Sequence, residues 1–148
     1  MSIPAKQIGW SNESNLLWYI LKQLNKLTSI IFNLKPKYKV YTALLTQSGI
    51  NAPVATVLEN TLGATITYSR VSDGIYTITT DGIFTSDKTW ATISTPSYDG
   101  DGPYLLNIGR TNNTQCTIYS YVLISGNFTL NDLKTGTDKV SIEIRVYN

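Results

Sequence analysis

Apolar residues near the start of the chain recur at alternating spacings of three and four. Over residues 10–34 this periodicity places them at the a and d positions of a heptad repeat. Ser11 precedes the run as a candidate N-cap, and Pro36 follows it as a helix stop. The pattern predicts one amphipathic helix about 35 Å long. Its seam consists of Leu17, Ile20, Leu24, Leu27, Ile31 and Leu34.

The apolar stripe of this helix is wider than the a and d positions alone, because Leu16, Leu21 and Ile30 extend it. A wide stripe suits a trimer, or a helix that packs on its own domain, better than a dimer. The a and d residue types do not fix the number of chains. Two interpretations stay open: helices of several copies associate, most readily three, or one helix lies across a sheet of its own chain.

From residue 38 onward the pattern changes to short runs in which apolar and polar residues alternate. In the final run, Val140, Ile142, Ile144 and Val146 share one face. Ser72, Asp73 and Gly74 have the composition of a hairpin turn. The runs predict strands at 38–47, 53–62, 64–70, 75–80, 88–94, 104–109, 115–125 and 139–147.

The many short strands separated by Gly, Asn and Asp turns predict an antiparallel β-sandwich or jelly-roll-like domain. The charged, proline-containing stretch 34–38 is the predicted boundary. We therefore expect a mainly β protein with two parts. Residues 1–37 form a lead-in and a coiled-coil-like oligomerisation helix, and residues 38–148 form the β-sandwich domain.

Composition narrows the classes of partner. The net charge is only +2, which does not favour nucleic acid or an anionic membrane. Lys22, Asn25 and Lys26 interrupt the apolar helix too often for a membrane span. The opening residues lack the charged and apolar regions of a signal peptide. We expect no nucleic-acid partner, no membrane partner and no standard export.

The side chains that most enzymes need are scarce. The chain has no histidine, so neither a Ser/His/Asp nor a Cys/His arrangement can form. The single cysteine, Cys116, lies in an apolar run and is expected to be a buried small hydrophobe. Carboxylates in predicted turns are expected to bond to nearby backbone; they are Asp73, Asp81, Asp87, Asp132 and Asp138. We expect no enzymatic activity and no cofactor.

One glycine-rich loop, residues 96–103, holds two carboxylates and two nearby tyrosines. Asp99 and Asp101 resemble part of a calcium loop, but the remaining oxygen ligands are missing, so we expect no metal there. Aromatic rings beside Asp, Asn and Thr suit a sugar ligand. The candidate ligand contacts are Trp90, Tyr98, Asp99, Asp101 and Tyr104, and Tyr119 and Tyr121 offer further rings.

Three segments carry a resemblance to a known group of proteins: SIPAKQIGWSNESNLLWYILKQLNKLTSII, YTALLTQSGINAPVATVLENTLGATITYSRVSDGIYTITT and SIEIRVYN. Together they resemble small virion proteins of tailed phages that infect Bacteroidetes, including the crAss-like phages. The resemblance implies a head or tail fibre or decoration subunit, made in the host cytoplasm and located in the virion. Its partners would be its own copies and other virion proteins. The alternative is a receptor- or carbohydrate-binding module that contacts a host surface glycan.

Overall fold

The computed structural model describes residues 11–33, 37–94, 103–133 and 139–148. The chain divides into two compact units, Met1–Pro36 and Lys37–Asn148.

The first unit contains helix α1, Asn12–Asn33. The Ser11 hydroxyl accepts the backbone N–H of Ser14 at 3.2 Å, so the predicted N-cap is confirmed. No residue of α1 is buried. The final seam position, Leu34, lies outside the described residues.

The second unit is an antiparallel sandwich of two sheets, which confirms the predicted fold class. Sheet A has the order β2-β1-β9-β5, and sheet B the order β3-β4-β7-β6, with β8 also paired to β7. The strands are β1 Tyr38–Thr46, β2 Val54–Asn60, β3 Thr67–Ser72, β4 Ile75–Thr79, β5 Thr89–Ile93, β6 Tyr104–Asn112, β7 Gln115–Ile124, β8 Asn127–Leu130 and β9 Val140–Tyr147.

The core lies between the two sheets and is built from alternate residues of the central strands. In sheet A, β1 and β9 run side by side and bury the side chains that point inward. Sheet B buries matching positions of β4, β6 and β7 against them. The core side chains include Tyr41, Ala43, Leu45, Tyr76, Ile78, Leu106, Cys116, Ile118, Val140, Ile142 and Ile144. The alternation predicted for β9 and the burial predicted for Cys116 are confirmed.

The connection between β4 and β5 closes one side of this core. Phe84 in that connection is fully buried, although it belongs to no strand. Its N–H donates to the Asn113 carbonyl at 2.9 Å, and its own carbonyl accepts Arg110 Nε at 2.6 Å. The end of β6 and the turn that follows it therefore hold the backbone of Phe84 in place.

Strand β8 was missed by the sequence pattern. It has four residues, all exposed, so it shows no alternation of buried and exposed positions. Strands β4 and β8 pair with successive parts of β7, from Gln115 to Tyr119 and from Tyr121 to Ile124. Gly74 lies just before β4, where the two strands adjoin. Gly74 has φ +67°, and its carbonyl accepts the Ser120 N–H at 2.8 Å. A Cβ at this glycine would lie 2.5 Å from the Ser120 carbonyl oxygen and 2.7 Å from Asn131 N.

Gly74→Ala should therefore destabilise the domain by about 3 kcal/mol, because backbone strain and a clash with fixed backbone atoms add together. Gly126→Ala is the matched control. Gly126 also has a positive φ, of +82°, but nothing lies within 4 Å of its added Cβ. We expect the control to cost about 1 kcal/mol. Urea unfolding of both variants measures the difference, and equal losses would contradict the close approach at Gly74.

A network of polar side chains ties sheet B to the end of β1. The Asp132 carboxylate accepts Arg70 Nε and Nη2, each at 2.9 Å, and the Tyr76 hydroxyl lies 2.8 Å from its Oδ1. Gln47, just after β1, places its Oε1 2.7 Å from the same hydroxyl. Leu133 N–H donates to that hydroxyl at 2.8 Å. The interpretation of Asp132 as a turn residue bonded to nearby backbone is therefore wrong.

The environment of Asp132 changes the acidity of its carboxyl group. Burial alone would raise its pKa, but the hydrogen bonds from Arg70, Tyr76 and the Gly74 N–H outweigh burial and lower the pKa from 3.8 to about 2. The charged form is therefore favoured by folding. The contribution of Asp132 to stability is fully present above about pH 4 and is lost as the pH falls through about 2.

Asp132→Asn should lower the melting temperature at pH 7 by about 5 °C or more, because it removes the carboxylate that accepts both Arg70 Nε and Nη2 and leaves the guanidinium only the exposed carboxylate of Asp73. The gap between variant and wild type should narrow as the pH falls from 4 to about 2, where the wild-type carboxylate is itself protonated. Thermal unfolding followed by circular dichroism at several pH values measures this. Asp87→Asn, in an exposed turn, is the control. A gap that is constant with pH would contradict the network.

Candidate interaction surfaces

The described seam positions of α1 are all exposed. Their exposed fractions run from 47% for Ile20 to 62% for Ile31, with Leu17, Leu24 and Leu27 in between. Leu16, Leu21 and Ile30, which widen the stripe, are exposed as well. Within the residues that the structure describes, no helix combines the length and hydropathy that a membrane crossing requires.

Beside this apolar stripe, the helix carries aromatic and polar side chains. The Lys22 ammonium lies 5.0 Å from the centre of the Trp18 ring, one turn away, and the Trp18 and Tyr19 rings meet edge to face at 5.0 Å. Asn25, Lys26 and Ser29 fall on the same side of the heptad repeat. The helix is therefore amphipathic, with polar residues outside its apolar seam.

The outer face of sheet A carries a group of aromatic rings around one arginine. The Arg145 guanidinium lies 4.7 Å from the Tyr38 ring centre and 5.0 Å from that of Trp90. Tyr147 packs on Tyr38 with ring centres 5.3 Å apart. Glu143 accepts a hydrogen bond from Arg145 Nε. The cation is thus held between two rings and a carboxylate, and Trp90 remains 47% exposed.

Next to this aromatic group, the outer face of sheet A forms a shallow concavity of about 390 Å³. Four of its lining side chains are hydroxyls, one is a carboxylate and one is a leucine on the edge strand β2. They are Thr42, Thr92, Ser94, Ser141, Glu143 and Leu58. Ala43, Ile93 and Ile142 complete the lining, so the concavity combines polar and apolar groups.

The outer face of sheet B is different, because its described strands β4, β6, β7 and β8 place no charged side chain on it. Tyr119 and Tyr121 stand side by side in β7 with nearly parallel rings, 16° apart, whose centres are 6.3 Å apart. Leu105 and Leu130 pair with Tyr121 from the two neighbouring strands. This face is apolar near β8 and threonine-rich near the turn between β6 and β7.

The structure does not bring the described candidate ligand contacts together. Trp90 is exposed on the outer face of sheet A. Tyr104 is only 7% exposed, because it lies in phase with Leu106 on the inner face of β6. Its ring offers no surface on which a sugar can stack, which corrects that prediction. Tyr98, Asp99 and Asp101 lie outside the described residues.

The described residues contain no cluster with the composition of a metal site. Among residues 11–33, 37–94, 103–133 and 139–148, no group of three or more His, Cys, Asp or Glu side chains lies close enough to hold a metal ion.

Comparisons of the chain with protein-family models, with curated proteins and with solved structures found no match.

Cys116 should be unreactive in the folded protein. Its side chain is fully buried, and burial raises the pKa of its thiol to about 12. Because the thiolate is the reactive form, a disulfide reagent at pH 8 should label the native protein very slowly. In urea the same reagent should label one thiol per chain. Rapid labelling without urea would show that the sandwich opens at β7.

Proposed function

We propose that this protein is a non-enzymatic structural subunit of a phage virion, such as a fibre or decoration subunit. Helix α1 joins copies of the chain, most readily three, and the β-sandwich faces outward. The observation that supports this most directly is the exposure of the whole described seam, from Leu17 to Ile31. The phage context is supported by the resemblance of the sequence, which also suggests other virion proteins as partners.

The physical reason for association is the hydrophobic effect. Full burial of a Leu or Ile side chain contributes about 1.5–3 kcal/mol. The seam repeats such residues at every a and d position of α1, so parallel helices can bury them together in a knobs-into-holes arrangement. Because isolated helices gain most of their stability from packing an amphipathic face, association would also stabilise α1.

The arrangement gives the sandwich domain a role. A symmetric trimer presents the same surface three times, so a weak contact made by one copy becomes strong when all three engage. Only 15% of the residues of the chain are charged, and the sandwich is held together by a packed core and a few ion pairs within the chain. Such a domain suits an exposed position on the particle. The protein would be made in the host cytoplasm and incorporated during assembly of the particle.

Leu24→Asp combined with Leu27→Asp tests the seam. Wild type should have about three times the chain mass of 16.4 kDa in sedimentation equilibrium, and the double variant should have one chain mass. The reason is that two carboxylates per helix cannot be desolvated at the interface. Circular dichroism should show that the β-domain remains folded, because these residues belong to the other unit.

The matched control places the same two charges elsewhere on α1, with Asn25→Asp and Ser29→Asp on the polar side. This control should keep the wild-type mass. A wild-type mass of one chain would contradict the proposal and favour a helix that lies across its own sandwich. A double seam variant that keeps the wild-type mass would show that the copies associate through another surface.

A further inference from the structure

Strand pairing in sheet A lines up two rows of side chains on its outer face. Trp90 of β5 pairs with Arg145 of β9. One step along, Thr92 pairs with Glu143, which in turn pairs with Thr42 of β1. Alternate residues of a strand share a face about 7 Å apart, so Trp90 is the neighbour of Thr92, which lines the concavity, although Trp90 itself is not part of the lining.

The orientation of the Trp90 ring is fixed by its neighbours. The Arg145 guanidinium covers one face of the indole at 5.0 Å, and Glu143 and Tyr38 hold that guanidinium in place. The rest of the ring accounts for its 47% exposure. A ring that is already held loses little conformational entropy when a ligand stacks on it.

The polar groups of the concavity are ready to bond to a ligand. Within the part of the chain that the structure describes, the hydroxyls of Thr42 and Thr92 make no hydrogen bond. The Ser94 hydroxyl accepts the Ser141 N–H at 2.9 Å, which leaves its own hydrogen to be donated. A hydroxyl both donates and accepts, whereas the Glu143 carboxylate only accepts. The site therefore offers both kinds of partner on the same face of sheet A as the Trp90 ring.

This chemistry selects among ligand classes. An apolar ligand would bury the threonine hydroxyls without partners, which is unfavourable. A phosphate or another anion would face the Glu143 carboxylate, and Arg145 is already paired with that group. A sugar ring has an apolar C–H face that stacks on indole and hydroxyls that both donate and accept. The volume of about 390 Å³ falls in the usual range of small-ligand sites.

We propose that the outer face of sheet A binds a neutral saccharide, which stacks on Trp90 and bonds to the hydroxyls of Thr42 and Thr92 and to Glu143. Arg145 is a positioning residue that orients the indole. The site lies within one chain, so it does not depend on the assembly proposed above. Its shallow shape indicates weak binding per site.

The test uses the full chain labelled with ¹⁵N and titrated with five soluble probes. Four are neutral: maltotetraose, cellotetraose, mannotetraose and tetra-N-acetylchitotetraose. The fifth, 3′-sialyllactose, is anionic. At least one neutral probe should shift the amide signals of Thr92 and Glu143 saturably, and more tightly than the anionic probe. No shift with any neutral probe, shifts confined to Tyr119 and Tyr121, or tighter binding of the anion would overturn the proposal.

Variants then identify the contacts. Trp90→Ala should raise the Kd of the bound probe about tenfold or more, and Trp90→Phe should recover part of that loss because it keeps a ring. Thr92→Val keeps the size and β-branching of the side chain, so it tests one hydroxyl even if Trp90→Ala fails to fold. It should raise the Kd about two- to tenfold.

Tyr119→Ala is the matched control, because it removes an exposed ring from the opposite sheet. It should leave the Kd within about twofold of the wild-type value. An unchanged Kd in Thr92→Val together with either Trp90 variant would place the saccharide elsewhere and overturn the assignment of this site.

Discussion

The register between β1 and β9 determines which side chains of sheet A enter the core and which lie on its outer surface. These strands pair from Tyr38 with Tyr147 to Leu45 with Val140 in the middle of sheet A. The same pairing sends alternate side chains inward to the core and outward to the surface that holds Arg145. Because the side-chain period of a strand is two, a slip of one residue would exchange the two sets. The core and the outer surface of sheet A are therefore fixed by one ladder of hydrogen bonds.

Two charged side chains of the β-domain hold separate segments of the chain together. Arg70 and Asp132 connect the β3–β4 hairpin to the segment after β8, and Tyr76 extends the connection to Gln47 at the end of β1. Between the sheets, the Tyr68 hydroxyl donates to that of Tyr41 at 3.2 Å, and burial raises the pKa of both phenols. These two phenols are thus paired with one another, as their desolvation requires, whereas the buried Ser120 Oγ has no hydrogen-bond partner among the described residues.

Much of this fold follows from local patterns. The spacing of the leucines and the Ser11 cap predict α1, and short runs bounded by turn residues predict eight of the nine described strands. Alternation assigns residues to a face, but it does not say which strand lies next to which, so sheet order could not be derived. Strand β8 has no alternation to detect. The partners of Asp132 lie more than 50 positions away in sequence, and spacing carries no signal for such contacts.

The surfaces were only partly predictable, because alternation assigns a residue to a face but does not give the order of the strands. Trp90 alternates with Ala91, which packs against the core, so its exposure follows from the strand pattern. Tyr104 shares its phase with Leu106, and that signal could have identified it as an inward-facing residue. The concavity beside Trp90 joins residues of β1, β2, β5 and β9. Such a site appears only when the sheet order is known.

The central position of β9 has a consequence for synthesis of the protein. Ribosomes add about 5–20 residues per second, so roughly 5–20 seconds separate the emergence of Leu45 from that of Val140. During this time the inward face of β1 lacks the neighbour that completes its sheet. The nascent chain therefore carries an uncovered apolar strand until translation of the domain is nearly finished. Closure of the sandwich is a late event, and chaperones have a defined segment to protect until then.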